Sequence, residues 1–408
     1  MTTIDRQVDA VRASHLFLPV YLPATLLAFG QGLLLTVLPL FATNLGTSYG
    51  IASLIVAAAA LGTLLTDVPA GAVLSRLGLR PAMIIGTLLV TIGTAGLIVD
   101  GPVSLIIALR VLAGIGTALW GLSRHSFIAS ATITTERGRA ISVFGGINRM
   151  GMLAGPAVGG AIVTAVGFDW AFLASAGMAA IALGVAVRFA SIGSHDARAV
   201  SGRDRWALVR RVLKENRRDL GAASVAQTLA QMIRAGRQFI LPIYGAKVVG
   251  LSAAEIGVIV TVASILDVAM FVPAGILMDR FGRKVAAVPS FAVMAIGVGM
   301  IPFSSSYAGL LVAACVIGLG NGLGSGTMMT LGADLAPSGA TGEFLGIWRL
   351  IGDAGAFVGP IAVGLIASST SLSGSAYLLS AIGFSATFTL AFLVKETRVS
   401  TVYAQNGG

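Results

Sequence analysis

Charged side chains interrupt several of the long apolar runs of this 408-residue chain. Depth can be counted along each run from the end that adjoins the basic loops. Asp67 and Arg349 lie about two helical turns from that end, and Arg149 and Asp267 lie about three turns from it. An ionised group inside hydrocarbon is costly unless it meets an opposite charge or water. These side chains are therefore candidates for ion pairing and proton transfer, and the elements that carry them must bring opposite charges together.

An internal repeat indicates how those elements are related. Pro69–Arg80 recurs 204 positions later as Pro273–Lys284, and the same offset relates Gly155-Pro156 to Gly359-Pro360. Glycine and proline constrain backbone geometry, so their recurrence over residues 46–160 indicates a true duplication. Each half then carries an acid on its second apolar run and an arginine on its fifth.

The composition predicts a membrane protein. Apolar residues make up 56% of the chain and charged residues 11%, and the mean hydropathy is +0.91, whereas soluble domains carry about 25% charged residues. Runs of roughly 20 residues are long enough to cross a bilayer as helices. They lie at 16–41, 50–74, 81–99, 103–131, 139–165, 169–190, 220–249, 252–278, 284–303, 306–335, 343–367 and 373–394.

We therefore predict an all-α membrane protein with twelve transmembrane helices in two six-helix bundles. The N-terminal bundle would occupy residues 1–190, a linker residues 191–219, and the C-terminal bundle residues 220–408. Lysine and arginine concentrate in the linker, in the short gaps near Arg76 and Arg280, and in the tail. By the positive-inside rule, both termini and the linker are expected in the cytoplasm, with the spans in the cell membrane.

The composition also bounds the expected partners. The net charge of +10 follows membrane topology, so nucleic acid is not an expected partner. Cys315 is the single cysteine, and His15, His125 and His195 are far apart in sequence, so neither a disulfide nor a metal site is predicted. The expected partners are membrane lipid and a small-molecule substrate, the expected driving ion is the proton without any cofactor, and a monomer suffices.

Several short motifs resemble those of the major facilitator superfamily. Two loops match its loop signature, and the segments around Arg110 and Gly155 resemble its fourth-helix motif and the fifth-helix motif of its drug:proton antiporter branch. The first loop has Ser75 where members of the family usually carry an acid. The residues that carry the loop and fifth-helix motifs are Gly71, Arg76, Gly78, Arg80, Gly155, Pro156, Gly275, Asp279, Arg280, Gly282 and Arg283.

The resemblance implies that helices 2 and 11, and helices 5 and 8, meet across a two-fold axis about which the halves rock. We therefore predict that the pairs Asp67–Arg349 and Arg149–Asp267 hold a cytoplasmic gate closed, the alternative being static pairs needed only for folding. Asp353 shares a face with Arg349 and is predicted to take a proton.

Arg110 resembles an arginine that the family uses near proton coupling, and it could equally cap a polar cluster near the outer surface. Small residues predict a further feature. Gly151, Gly155 and Gly159 recur on one helical face, which predicts a close-packing surface, either for packing alone or for sliding of the halves against each other.

Polar and aromatic residues on the first helix of each half, and on helix 4, are candidate cavity contacts. Arg234 and Arg237 share one face of helix 7 and would suit an anionic or hydrogen-bonding group; pairing with Asp267 or snorkelling is the alternative. The aromatic members could instead serve packing. The full set is Tyr21, Phe29, Gln31, Trp120, Arg124, His125, Gln227, Gln231, Arg234 and Arg237.

Two functions remain open at this point. The resemblance favours proton-coupled export of lipophilic or amphipathic small molecules by alternating access. The alternative is a proton-coupled carrier of an organic anion, because six arginines but only three aspartates lie within the spans. An enzyme is disfavoured, since the chain has no HExxH motif and no phosphate-binding GxxxxGK[ST] loop.

Overall fold

The computed structural model describes residues 17–131, 134–189, 211–212, 214, 217–337 and 339–397. These residues are almost entirely helical. The helices are α1 (Leu22–Asn44), α2 (Tyr49–Leu77), α3 (Leu79–Ala95), α4 (Val103–Ala131), α5 (Thr134–Val166), α6 (Phe168–Phe189), α7 (Arg217–Tyr244), α8a (Ala253–Ala269), α8b (Phe271–Phe281), α9 (Arg283–Met300), α10a (Tyr307–Leu323), α10b (Thr327–Leu335), α11 (Thr341–Ser369) and α12 (Leu372–Phe388). The N-terminal tail and most of the predicted linker lie outside the described residues.

Eleven stretches of the described residues are long and apolar enough to cross a membrane. The remaining long helix, α7, has 28 residues, and its polar and charged side chains, Arg234 and Arg237 among them, lower its hydropathy. It nevertheless packs along α11 and α12 inside the second half. The fold is therefore the predicted all-α membrane architecture of twelve spans in two bundles, with helices 8 and 10 each broken into two segments.

The two halves meet along two antiparallel helix pairs. α2 packs along α11, and α5 packs along α8a. Because successive helices alternate in direction, the Gly78 and Gly282 turns lie at one end of the molecule, called the basic end below. The Gly46 and Gly250 turns lie at the opposite end.

The duplication is visible at the level of single contacts, each displaced by 204 positions. Ser48 and Ser252 accept a hydrogen bond from the third residue of α2 and of α8a, each at 3.3 Å, and so cap those helices. At the basic end, Arg80 donates to the Val187 carbonyl at 2.9 Å, and Lys284 donates to the Ala391 carbonyl at 2.7 Å. Both halves therefore fold with the same local chemistry.

Glycines repeat their packing partners with the same offset. A Cβ at Gly114 would collide with the Ala59 carbonyl, and one at Gly318 with the Ala263 carbonyl. These glycines let α4 approach α2, and α10a approach α8a, more closely than any larger residue would allow.

The glycine row on α5 packs within its own half, whereas sliding of the halves would require it to face the other half. Gly151, Gly155 and Gly159 pack against α1 within their own half, and Gly355 and Gly359 pack against α7. The sliding interpretation is therefore wrong for this row. A four-residue spacing identifies a close-packing face but does not identify the helix that this face meets. Gly160, the residue after Gly159, faces α8a of the other half.

Close packing between the halves occurs instead at the opposite end, in two equivalent contacts that we call the seam. The Gly50 amide donates to the Ser368 hydroxyl at 2.9 Å, and the Ala254 amide donates to the Thr164 hydroxyl at 3.0 Å. Beside them, Gly364 lies against the Tyr49 carbonyl and Gly160 against the Ala253 carbonyl. Adding or subtracting 204 converts the residues of each contact into those of its equivalent, so the seam has the same two-fold symmetry as the duplication.

Candidate functional site between the halves

Arg149 on α5 reaches into the second half and contacts three of its side chains. Its guanidinium lies 3.9 Å from an Asp267 carboxylate oxygen, donates a short hydrogen bond to the Ser325 hydroxyl, and lies 4.5 Å from the centre of the Phe271 ring. The other Asp267 oxygen accepts from the Asn321 side-chain amide at 2.7 Å. An ion pair, a hydroxyl and a cation–π contact together hold the arginine at the interface.

The break in helix 10 supplies a polar backbone group to the same region. α10a ends at Leu323, and α10b begins only after Gly326, whose φ is +79°. The Gly324 carbonyl accepts from Arg234 at 2.8 Å in addition to the Thr327 hydroxyl at 2.8 Å. The Arg234 guanidinium also lies 5.1 Å from the Phe291 ring centre. Irregular backbone at membrane depth is tolerated where such partners satisfy it.

This region carries more positive than negative charge. Asp267 interacts electrostatically with Arg234 and Arg237 in addition to its pairing with Arg149. The Nε groups of Arg234 and Arg237 are buried without a hydrogen-bond partner among the described residues. One carboxylate therefore faces three guanidinium groups in this arginine cluster (Arg149, Arg234 and Arg237).

A second charged group lies between α2 and α11. Arg349 lies 3.7 Å from an Asp67 carboxylate oxygen. The Asp353 carboxyl, one turn along α11, faces the Asp67 carboxyl, and Arg124 of α4 lies near Arg349. One oxygen of Asp67 and one of Asp353 are buried without a hydrogen-bond donor among the described residues. Two carboxyls and two arginines thus meet at this interface.

Two cavities lie among the described residues, and the smaller one adjoins these charged groups. The smaller, about 160 Å³, lies in the second half and is bounded by polar side chains of α7 and α11 together with residues of helix 10. Its polar lining is Gln227, Gln231, Arg234, Arg349 and Asp353. Three of the four candidate cavity residues of α7 therefore share one space with the predicted proton-accepting group, whereas Arg237 lines neither of these two cavities.

The larger cavity, about 300 Å³, lies mostly inside the first half. Gln31 of α1, Arg110 of α4 and Gln238 of α7 line it, with mainly apolar residues around them. Arg110 is only 9% exposed. The structure therefore places Arg110 in a cavity and does not place it in a cluster with the other candidate proton-coupling residues.

Other candidate cavity residues lie elsewhere. Tyr21 and Trp120 are buried in an apolar core cluster of the first half and line neither cavity. Phe29 is half-buried on α1, where its backbone adjoins Gly151. Aromatic rings at membrane depth pack well, so their residue type alone did not separate cavity from core. The His125 side chain lies outside the described part of the structure.

The loop motifs form compact turns at the basic end. Gly78 and Gly282 have φ values of +82° and +107°, where a side chain would be strained. Arg283 pairs with Asp334 at 2.8 Å and lies 3.9 Å from Asp279. Of the other motif residues, Arg76 is exposed, Gly275 has open space around it, and Gly71 lies within α2.

Glu396 completes the second loop, although no motif in the sequence indicates it. Its carboxylate accepts from the Arg283 and Lys284 amides at 2.9 and 3.0 Å and so caps the start of α9. A carboxylate at a helix N-terminus satisfies free N–H groups and complements the helix dipole. No local signal could have found this role, because the capping residue lies more than a hundred positions after the helix start.

Asn321 and Ser325 were also missed, although both bind the predicted ion pair. They lie in the glycine-rich run Gly318–Gly326, which the sequence shows only as a small-residue segment inside an apolar stretch. The sequence did contain one indication of this role. Two polar residues lie inside a glycine-rich run that interrupts an apolar span, and such interrupted spans often form binding sites.

The fold and the charged interface define a multi-pass membrane transporter built from two related bundles. The family model for the Major Facilitator Superfamily matches residues 20–223 and 223–407. The chain therefore belongs to the Major Facilitator Superfamily, as the motifs predicted.

Relatives and solved structures agree with this assignment. An uncharacterised MFS-type transporter of Methanocaldococcus jannaschii is 20% identical over 86% of this chain and 91% of its own length. The synaptic vesicular amine transporter of Mus musculus is 26% identical over 81% of this chain and 63% of its own. Among solved structures, a D-xylose–proton symporter superimposes with a TM-score of 0.76 and 17% identity over 95% of this chain and 99% of its own.

Proposed function

We propose that this chain is a proton-coupled secondary transporter that works by alternating access, with its basic end in the cytoplasm. The observation that carries the proposal is the pair of different contacts between the halves. Ion pairs join them toward the basic end, and a seam of small residues joins them at the opposite end. Rocking about the centre would break one set of contacts while keeping the other.

The gate at the basic end consists of Asp67–Arg349 and Arg149–Asp267. Each pair takes one residue from each half and lies at 3.7–3.9 Å, which is looser than a tight hydrogen-bonded bridge of about 2.8 Å. Half-buried pairs at such a distance are suited to opening, because water can replace each partner as the halves separate.

The proton site is the facing carboxyl pair of Asp67 and Asp353. Two carboxylates that meet away from water repel each other, and one shared proton removes that repulsion and supplies the missing donor. Release of Arg349 from Asp67 would then accompany protonation, which would couple the proton to gate opening.

The proposed substrates are lipophilic or amphipathic small molecules, and the proposed direction is export. The apolar lining of the 300 Å³ cavity supports such a substrate, whereas the direction rests on the resemblance of the fifth-helix motif around Gly155 and Pro156. An organic anion is the second candidate, favoured by the surplus of arginine around Asp267. The mouse relative is named for amine transport, but a cationic substrate would be repelled by this cluster.

Transport by purified protein in liposomes tests the proposal. With an imposed pH gradient, we expect substrate movement that an uncoupler abolishes, measured for cationic, neutral and anionic amphipathic compounds in parallel. Movement that ignores the pH gradient for every compound would contradict proton coupling. Orientation is tested separately by labelling single cysteines in the loops at each end of a Cys315→Ser protein.

A further inference from the structure

Arg110 is a buried cation without a described partner. It is 9% exposed, its Nε has no hydrogen-bond partner, and it forms no ion pair with any residue that the structure describes. Burying an unpaired guanidinium in an apolar protein interior costs free energy, so a charge kept in such a place marks a functional site.

The repeat shows that the fold does not require this arginine. The residue displaced from Arg110 by 204 positions is Ala314, which is fully buried. One turn further along each helix, Gly114 after Arg110 and Gly318 after Ala314 make equivalent contacts in the two halves. The same helix therefore packs in the same way without a charge, and packing does not explain Arg110.

The surroundings of Arg110 match a negatively charged group with an apolar body. Among the residues that the structure describes, no acidic residue lines this cavity. The Gln31 and Gln238 amides line it, and neither has a hydrogen-bond partner in the same part of the chain. The remaining lining is mainly leucine, valine and alanine of the first half. One guanidinium and two amides provide donors for an anion, and the apolar wall can bury a hydrocarbon or aromatic body.

We propose that the larger cavity binds an amphipathic monoanion, a carboxylate or sulfonate on an apolar body, with Arg110 paired to the anionic group. The cavity of about 300 Å³ limits the ligand to the lower end of the drug-sized range. This inference rests on the proposed transport function and narrows its substrate class. Gln238 of α7 reaches the same cavity, so the bound anion would touch both halves.

The binding experiment uses the full-length protein in detergent and matched probes. Thermal unfolding is followed with benzoate, 2-naphthoate and decanoate, each compared with its neutral amide. We expect the acids to stabilise the protein at roughly 10- to 100-fold lower concentration than the amides, and Arg110→Gln to remove that preference. Arg110→Lys keeps the charge without the planar fork and should retain part of the preference.

The matched control is Arg188→Gln, which removes a guanidinium from the end of α6 where it lies against Phe189. It should leave the preference for acids unchanged. Equal stabilisation by acids and amides in the wild-type protein overturns the proposal, and this comparison needs no variant to fold. An equal loss for acids and amides in Arg110→Gln also overturns it.

A transport measurement separates this inference from the function on which it rests. Naphthalene-2-sulfonate stays ionised, so its movement into liposomes reports carrier activity. Anion-selective binding with no sulfonate transport supports the site and contradicts the transport proposal for this class. Transport of sulfonate that is unchanged in Arg110→Gln, with acids and amides binding equally, contradicts the site and leaves the transport proposal standing.

Discussion

At the scale of single residues, the two ion pairs between the halves differ in the groups that surround each arginine. Arg149 is also held by Ser325 and Phe271, whereas Arg349 faces Asp67 beside a second carboxyl, Asp353. A charge with several partners changes state less readily than one whose counter-ion can be neutralised. We therefore expect the Asp67–Arg349 pair to respond to protonation, and the Arg149–Asp267 pair to hold α5 and α8a in a fixed relative position.

A charge swap tests the Asp67–Arg349 pair. Asp67→Asn and Arg349→Gln alone should each lower transport about 10-fold or more, because each leaves a charge unpaired between the halves. Asp67→Arg combined with Arg349→Asp should recover much of the rate measured in liposomes. Asp100→Asn, in an exposed loop, is the control and should transport normally. Normal rates in both single variants would contradict the gate.

Neutralising Asp353 tests the proton site. Asp353→Asn cannot exchange a proton, so transport driven by a pH gradient should fall to the uncoupled level, while exchange of labelled for unlabelled substrate continues. The two assays are run on the same liposomes. Asp169→Asn, at the exposed start of α6, should behave as wild type in both. Persistent response to the pH gradient in Asp353→Asn would exclude this carboxyl as the proton carrier.

At the scale of secondary-structure elements, close packing separates two kinds of helix contact. Glycines such as Gly155 and Gly114 set the spacing within a half, whereas Gly160 and Gly364 set the spacing between halves at the seam. Contacts of the first kind are kept throughout a rocking motion, and contacts of the second kind must open. Substitutions at the two kinds of position should therefore have different consequences.

Gly160→Ala is predicted to weaken the seam. Its Cβ would collide with the Ala253 carbonyl of α8a, at a cost of about 1–3 kcal/mol to the conformation closed at that end. A single cysteine placed in the opposite-end loops should become more reactive toward a water-soluble maleimide. Gly177→Ala is the matched control, because nothing lies within 4 Å of its Cβ position, and its reactivity should match wild type. Equal labelling of the two variants would contradict the seam.

Glu396→Gln is predicted to loosen the start of α9. The carboxylate accepts from two backbone amides of that helix, and its loss should cost about 1 kcal/mol. Thermal unfolding should occur at lower temperature than in the Asp100→Asn control, which carries the same change in an exposed loop. Unchanged unfolding would show that water or another group caps α9 equally well.

At the scale of the whole molecule, the two halves share their fold and its local contacts but differ in the charged residues of their interiors. The repeated caps, turns and glycine contacts build two similar bundles. Arg110 occurs only in the first half, whereas Arg234, Arg237 and the break in helix 10 occur only in the second. In the proposed mechanism, these symmetric contacts would let the halves rock as rigid bodies. The charges differ between the halves, with Arg110 in the proposed anion cavity of the first half and Arg234 and Arg237 in the second.

Crosslinking the seam tests the rocking motion. In a Cys315→Ser background, Gly50→Cys with Ser368→Cys should form a disulfide, because the Cβ position of residue 50 lies 3.6 Å from the Ser368 hydroxyl. Oxidation should stop transport and reduction should restore it. Each single-cysteine variant should transport normally under both conditions. Full transport by the oxidised double variant would show that this end does not open.

Part of the site was predictable because the chain is duplicated. The offset places Asp67, Arg149, Asp267 and Arg349 at comparable depths on the helices that the family brings together, and the structure places the paired groups within 4 Å of each other. Cavity residues were less predictable. Gln31 and Arg234 line cavities, whereas Trp120 is core, because residue type at membrane depth does not tell which neighbours a helix face meets.

The amino-acid sequence by itself determined the spans, the duplication and the charges that need partners, because hydropathy, glycine and proline act through local physics and repeat along the chain. Only the tertiary structure decided which helix each glycine face meets, that Glu396 caps α9, and that Arg110 lies in a cavity where no described acidic residue lines the wall. Those properties depend on residues far apart in the chain that packing brings within a few ångströms of each other, and no local pattern records that distance.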